Sequence, residues 1–424
     1  MEPRAVESVT ERHNRHRAME AERALMGIEE GFDENPAAMR YFYDLFRNVY
    51  EKGQSPITDK PLIGTMCVQI PEELIYAAGA APVRLCDGFY TDDQIGAEFM
   101  PAKSCSLVKS TLGMLSAQNI PYAKEVSLLI NPATCDQKKK AGGIIREMGY
   151  TLHDMDIPAN KESEAAREYW RRSVRELARV LPKTTGQAIT RKSLKAAIAR
   201  IAAAQTAFRR LLRLRETKPA PILGKDIFLV TNAYFFDDIE RWTAAVNVLC
   251  EEVEKRVAEG FSAAQRRSPR IVFTGSPPIF PNLKLPVLIE RSGGVIVADE
   301  TCSSNRMLYD MVSVDEWFVH DMVDSVADRY LKPCTCPIFT QNDDRKRRLI
   351  ELVRRYGADG VVYQSFAGCQ VYEMEQRSIA KALEEAGIPM LYVETDYSPD
   401  DAGQLSTRIE AFIESLKSRK RKKA

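Results

Sequence analysis

Apolar positions along this chain fall in short blocks, and helical, charge-faced segments lie between the blocks. Runs at 81–86, 126–132, 270–275, 295–299, 359–364 and 390–396 are bounded by Gly, Pro or Asp and read as buried parallel strands. Helical spacing runs through Asp238–Gly260, Leu283–Ser292, Asp343–Tyr356, Ser378–Ala386 and Gln404–Leu416. Pro71 followed by Glu72 and Glu73 suits a first helical turn, and Gly79 its stop. Two long helical patterns, Glu164–Leu181 and Lys192–Arg215, are separated by a turn expected at Pro182–Gly186. Near the N-terminus, Tyr41, Phe42, Leu45, Phe46 and Tyr50 repeat at helical spacing, as in a helix packed on a domain or a partner subunit.

Strands alternating with helices predict an α/β fold of two Rossmann-like domains, with parallel sheets facing across a cleft. The expected divisions are a helical N-terminal segment (1–60), a first α/β domain (61–158), a helical linker (159–265), a second α/β domain (266–416) and a basic, disordered tail (417–424). The two α/β regions repeat one another by order of elements, though hardly by residue identity.

A length of 424 residues calls for two or three domains. A net charge of +1 gives no electrostatic case for nucleic acid or an anionic membrane. Apolar runs are too short for a membrane span and the N-terminus lacks a signal-like apolar core, so a cytoplasmic protein is expected. Nine Cys is an odd number and the chain is large, which disfavours a disulfide framework. Four His, none at a zinc-like spacing, turn the thiols toward iron–sulfur chemistry.

Position sharpens that reading. Cys135 and Cys369 each follow a strand-like run, where the carboxyl edge of an open α/β sheet binds ligands. Cys67 and Cys105 stand near helix starts, and Lys103 and Lys109 flank Cys105. The first half thus offers Cys67, Cys105 and Cys135, with Cys86 in reserve or in place of Cys67; the second offers Cys302, Cys369 and one of Cys334 and Cys336. Cys250, on the apolar side of a helix, reads as a buried core thiol.

At these residues the chain resembles the 2-hydroxyacyl-CoA dehydratase and benzoyl-CoA reductase family, the D-component family of the dehydratases. The likeness runs from about Gly64 to Leu416 and is carried by the stretch from Cys67 through Pro71-Glu-Glu to Gly79, by Thr134-Cys135-Asp136, Phe235-Phe-Asp-Asp and Asp299-Glu-Thr-Cys302, and by the segments at 387–397 and 404–412. It implies two Rossmann-like domains holding a cluster in their cleft. In dehydratase subunits three cysteines hold one cubane, and Cys105, Cys135 and Cys369 match those positions. The extra thiols at Cys67, Cys302 and Cys334/Cys336 are similar to the double-cubane cluster branch of the family. That likeness implies two [4Fe-4S] units bridged by sulfide, a homodimer, and electrons from a separate ATP-hydrolysing iron–sulfur reductase for small-molecule substrates at low potential.

Three functions therefore compete: a double-cubane reductase, a dehydratase or aryl-CoA reductase subunit with a single [4Fe-4S] cluster, and a non-catalytic electron carrier. No GxxxxGK[ST] loop is present, so ATP is expected on the partner. Candidates for substrate or proton handling are Glu72, Glu73, Lys103, Gln137 and Ser365, with helix capping the plainer reading of the two glutamates.

Overall fold

The computed structural model describes residues 8–57, 59–118, 120–314 and 316–423. Its eight strands form two four-stranded, wholly parallel sheets. The first sheet holds β1 (Leu62–Thr65), β2 (Ala81–Arg84), β3 (Val126–Pro132) and β4 (Leu152–Met155) in the order β2-β1-β3-β4. The second holds β5 (Arg270–Gly275), β6 (Val295–Glu300), β7 (Gly360–Phe366) and β8 (Met390–Thr395) in the order β6-β5-β7-β8. Both halves therefore trace one topology, as their order of elements implied. The fold is α/β with two Rossmann-like sheets.

Burial explains the apolar runs. All residues of β1, β2, β5, β6 and β7 are buried, because helices cover both faces of a parallel sheet. In each half the chain leaves its first strand toward one edge and returns across it to the third. The exits of β1 and β3, and of β5 and β7, are thus topological switch points, where open α/β sheets bind ligands.

Several elements differ from the sequence pattern, among them β1 and β4, where no strand was expected. The first long helix of the linker runs Glu164–Thr185, through Pro182, and stops at Gly186 with φ +75°. Pro182 removes one helical hydrogen bond near the end, while Leu177 and Leu181 stay buried and hold the register. The C-terminal helix spans Ala402–Lys423, so the basic tail continues a helix instead of being disordered; Lys420 Nζ lies 2.6 Å from Asp359 Oδ2. A helix at Gly224–Ala233, buried at every residue, lies where the pattern gave no element.

The first helix of the hairpin Glu164–Thr185 and Arg191–Leu214 docks on the second half through its arginines. Arg171 and Arg175 pair with Asp328 and Asp324 of the helix Val319–Leu331, and Trp170 donates its indole N–H to the Ala327 carbonyl at 2.8 Å. No helix among the described residues is long and apolar enough to cross a membrane.

Candidate metal centre

Seven of the nine thiols line one cavity between the two sheets: Cys67, Cys86, Cys105, Cys135, Cys302, Cys336 and Cys369. Strand exits place most of them. β1 leads to Cys67, β2 to Cys86, β3 to Cys135, β6 to Cys302 and β7 to Cys369. Cys334 opens on the adjoining cavity and accepts a hydrogen bond from Gln69 Nε2 at 3.3 Å. Cys250 lies elsewhere, fully buried, with Sγ 3.7 Å from the Ala207 carbonyl oxygen.

Electrostatic contact sorts the cavity thiols into two groups. Cys105, Cys135 and Cys369 form one. Each is the residue at the N-terminal cap of a helix: Ser106–Ala117, Asp136–Glu147 and Gln370–Glu385. The first-turn backbone N–H groups of Leu107 and Val108, of Gln137 and Lys138, and of Tyr372 favour the thiolate forms of these sulfurs. Three helix N-termini on one cavity favour thiolates and any anionic group they hold. Cys105 and Cys369 act on one another across the two halves, which holds Cys369 below the ordinary thiol value and Cys105 above it. Burial pushes Cys135 up.

The second group gathers Cys67, Cys86, Cys302, Cys334 and Cys336 around Arg84 and Arg306. Burial pushes Cys302 up to about 11, and Arg306 works against it. Burial raises Cys86, Cys334 and Cys336 too, again opposed by these arginines.

Gln137 joins the two halves. Its Oε1 accepts the Cys105 backbone N–H at 2.9 Å, and its Nε2 donates to the Gly368 carbonyl at 2.8 Å. One amide thus ties together the loops of all three thiols in the first group.

The other polar candidates lie off the cavity. Lys103 is exposed, and Lys109 is buried against Asp93, 3.1 Å away. Ser365 is buried and bonds to the Tyr392 hydroxyl at 2.8 Å. Glu72 and Glu73 follow Pro71, which is itself the helix cap. Glu72 accepts from Arg84 at 3.2 Å and from the Tyr234 hydroxyl at 2.8 Å; Glu73 accepts from the Tyr330 hydroxyl at 2.8 Å. Glu72 therefore reaches the cavity only through Arg84.

Cations at the cavity escaped the sequence reading. Arg84 closes β2 and is buried over the Phe235 ring. Lys138 donates to the Met66 carbonyl at 2.6 Å. Arg306 follows Cys302 by four residues. Their spacing from Cys86, Cys135 and Cys302 was the available signal.

This donor set fits an iron–sulfur cluster. Thiols, helix N-termini and buried cations suit an anionic, thiolate-held group. Among the described residues no three His, Cys, Asp or Glu side chains converge tightly enough for a single metal ion. Thiols at the corners of a cluster stand farther apart than ligands of one ion.

The family model for the 2-hydroxyglutaryl-CoA dehydratase D-component matches residues 67–416, from the first of these thiols into the C-terminal helix. The chain belongs to this family. Its similar proteins include YjiM of Escherichia coli (strain K12), provisionally named a dehydratase subunit: 31% identical over 382 residues, covering 88% of this chain and 97% of that one. The (R)-phenyllactyl-CoA dehydratase beta subunit of Clostridium sporogenes is 25% identical, covering 88% and 98%. A benzoyl-CoA reductase subunit of Thauera aromatica is 24% identical, covering 84% and 91%. The family match thus takes in every cavity thiol, the whole second sheet and all of the first sheet but β1.

Proposed function

We propose that this protein is an iron–sulfur reductase subunit that holds a double-cubane cluster, works as a homodimer, and takes electrons from an ATP-hydrolysing iron–sulfur partner to reduce a small molecule. The division of the thiols into two groups at one cavity carries this reading. Cys105, Cys135 and Cys369 would hold one cubane. Cys67, Cys302 and one of Cys334 and Cys336 would hold the other, with Cys86 as the remaining neighbour. When bound, such a cluster supplies low-potential electrons to a substrate held beside it.

The chain's own residues prepare the cavity for that group. Arg84, Lys138 and Arg306 offset negative charge, and three helix N-termini do the same. Gln137 fixes the spacing of the Cys105 and Cys369 loops. Leu107, Val108, Ile279 and Phe235 give the cavity an apolar lining that keeps water sparse.

Relatives named as dehydratase and benzoyl-CoA reductase subunits favour a second reading, one [4Fe-4S] cluster on Cys105, Cys135 and Cys369 in a subunit acting on an acyl-CoA. Iron and sulfide analysis after anaerobic purification separates the two. The double cubane gives about eight irons per chain, and about half are lost in both Cys135→Ser and Cys302→Ser. About four irons, unchanged by Cys302→Ser, would establish the single cluster instead.

A further inference from the structure

A second cavity, of about 370 Å³, adjoins the thiol cavity and shares Val68 and Gln69 with its wall. Cys334 opens on it. Five cations line it: Arg306, Arg329, Lys332, Arg347 and Arg348. Of the four acids in the lining, Glu300 is already paired with Arg345, and Asp344 with Lys161, neither of which lines the cavity. Lys332 is likewise paired with Asp328, outside the lining. That leaves Asp310 and Glu351 against Arg306, Arg329, Arg347 and Arg348, so the space is electropositive.

Arg306 marks where a ligand would sit. Its side chain is only 6% exposed. Nη2 donates to the Tyr372 hydroxyl at 2.7 Å, and Nε stands 3.2 Å from Glu300 Oε1. Nη1 has no hydrogen-bond partner among the described residues. A buried guanidinium with an unused donor is costly, and its fork suits the paired oxygens of an oxyanion. Two buried acceptors at the same cavity, Gln69 Oε1 and Asn305 Oδ1, also lack a partner. They call for a hydrogen-bond donor on the same ligand.

We propose that this cavity binds a small oxyanion carrying a hydroxyl group, with Arg306 at its inner end and Arg348 in its wall. The ligand would sit beside the thiol group of Cys67, Cys302, Cys334 and Cys336. Only its role as substrate or product rests on the reductase reading; the binding itself does not.

Calorimetric titration of the full-length protein with sodium phosphate near pH 7.5 tests the proposal, with sulfate and acetate as parallel arms. Phosphate carries a hydroxyl at that pH and sulfate does not. One phosphate per chain is expected, bound more tightly than sulfate or acetate. Arg306→Gln and Arg348→Gln should each weaken it at least tenfold. Arg348 is part-exposed, so its variant remains informative if the buried substitution impairs folding. Phosphate affinity unchanged in Arg348→Gln, or sulfate or acetate bound as tightly as phosphate, would overturn the proposal. Iron content is measured on the same samples. Phosphate bound by protein lacking iron would sustain this site and count against the cluster, whereas full iron with no phosphate bound would do the reverse.

Discussion

Gly368 comes just before Cys369 with a φ of +78°, and a Cβ on it would lie 1.9 Å from the Lys103 carbonyl oxygen. The loop of one thiol thus lies directly against the loop of another, across the two halves, in a conformation that a side chain resists. Gly368→Ala is expected to destabilise the protein by about 1–3 kcal/mol through backbone strain alone, and by more once the clash is included. Urea unfolding measures the loss. Iron content should fall in the same variant, because the Lys103–Gly368 approach sets the separation of Cys105 from Cys369; full iron loading would show that the contact is not needed. At this scale the thiols were legible and their cations were not. A cysteine after a strand-like run announces its place at a sheet edge. Arg84 and Arg306 look like any arginine until their buried neighbours are seen. Lys103 misled for the converse reason: adjacency in sequence to Cys105 does not aim a long side chain, and this one goes to solvent.

Elements meet at Glu290, on the helix Lys284–Arg291. Its carboxyl accepts the backbone N–H groups of Gly224 and Lys225, which open the buried helix Gly224–Ala233, and that of Ile296 in β6. Burial outweighs these bonds and pushes the Glu290 carboxyl up to about 7 from the ordinary 4.5. A carboxyl raised in the folded state contributes stability that is fully present below the unfolded value and is lost as pH rises through the folded one. Between pH 6 and pH 8 this group should therefore lower stability by about 1 kcal/mol. Urea midpoints at the two pH values should show a smaller drop in Glu290→Gln than in the parent; equal drops would place the titration elsewhere. The helix that Glu290 caps is also the one the sequence hid. Surrounded by protein on all sides, Gly224–Ala233 has no polar face and hence no 3.6-residue signal. Most strands were legible for a related reason: in parallel sheets, burial on both faces leaves compact apolar runs with sharp ends, whereas the short β1 and β4 left none that stood out. Pro182 signals a break by local propensity alone, whereas the packing of Leu177 and Leu181 beneath it carries the helix on to Thr185.

Across the whole molecule the repeat of topology does not produce two separate cores. One cluster of buried side chains contains Leu62, Leu85 and Leu129 of the first half together with Ile271, Phe273 and Val362 of the second. Direct bonds cross as well: the Tyr397 hydroxyl to the Asp87 carbonyl at 3.1 Å, and Gln137 to the Gly368 carbonyl at 2.8 Å. The halves are thus joined by packing before any iron is counted, and a cluster spanning both would add to that joint by binding only the folded state. Stripping iron anaerobically with a chelator should accordingly lower the urea midpoint while leaving one cooperative transition, seen alike by tryptophan fluorescence and far-ultraviolet circular dichroism. Trp170 and Trp242, both fully buried, report on the linking helices, and the dichroism reports on both sheets and their helices. Two separated transitions after chelation would mean that the cluster, and not the shared core, makes the molecule a unit. An unchanged midpoint would mean that no group bound across the cleft contributes to folding, and the assignment of thiols from both halves to one cubane would fail with it.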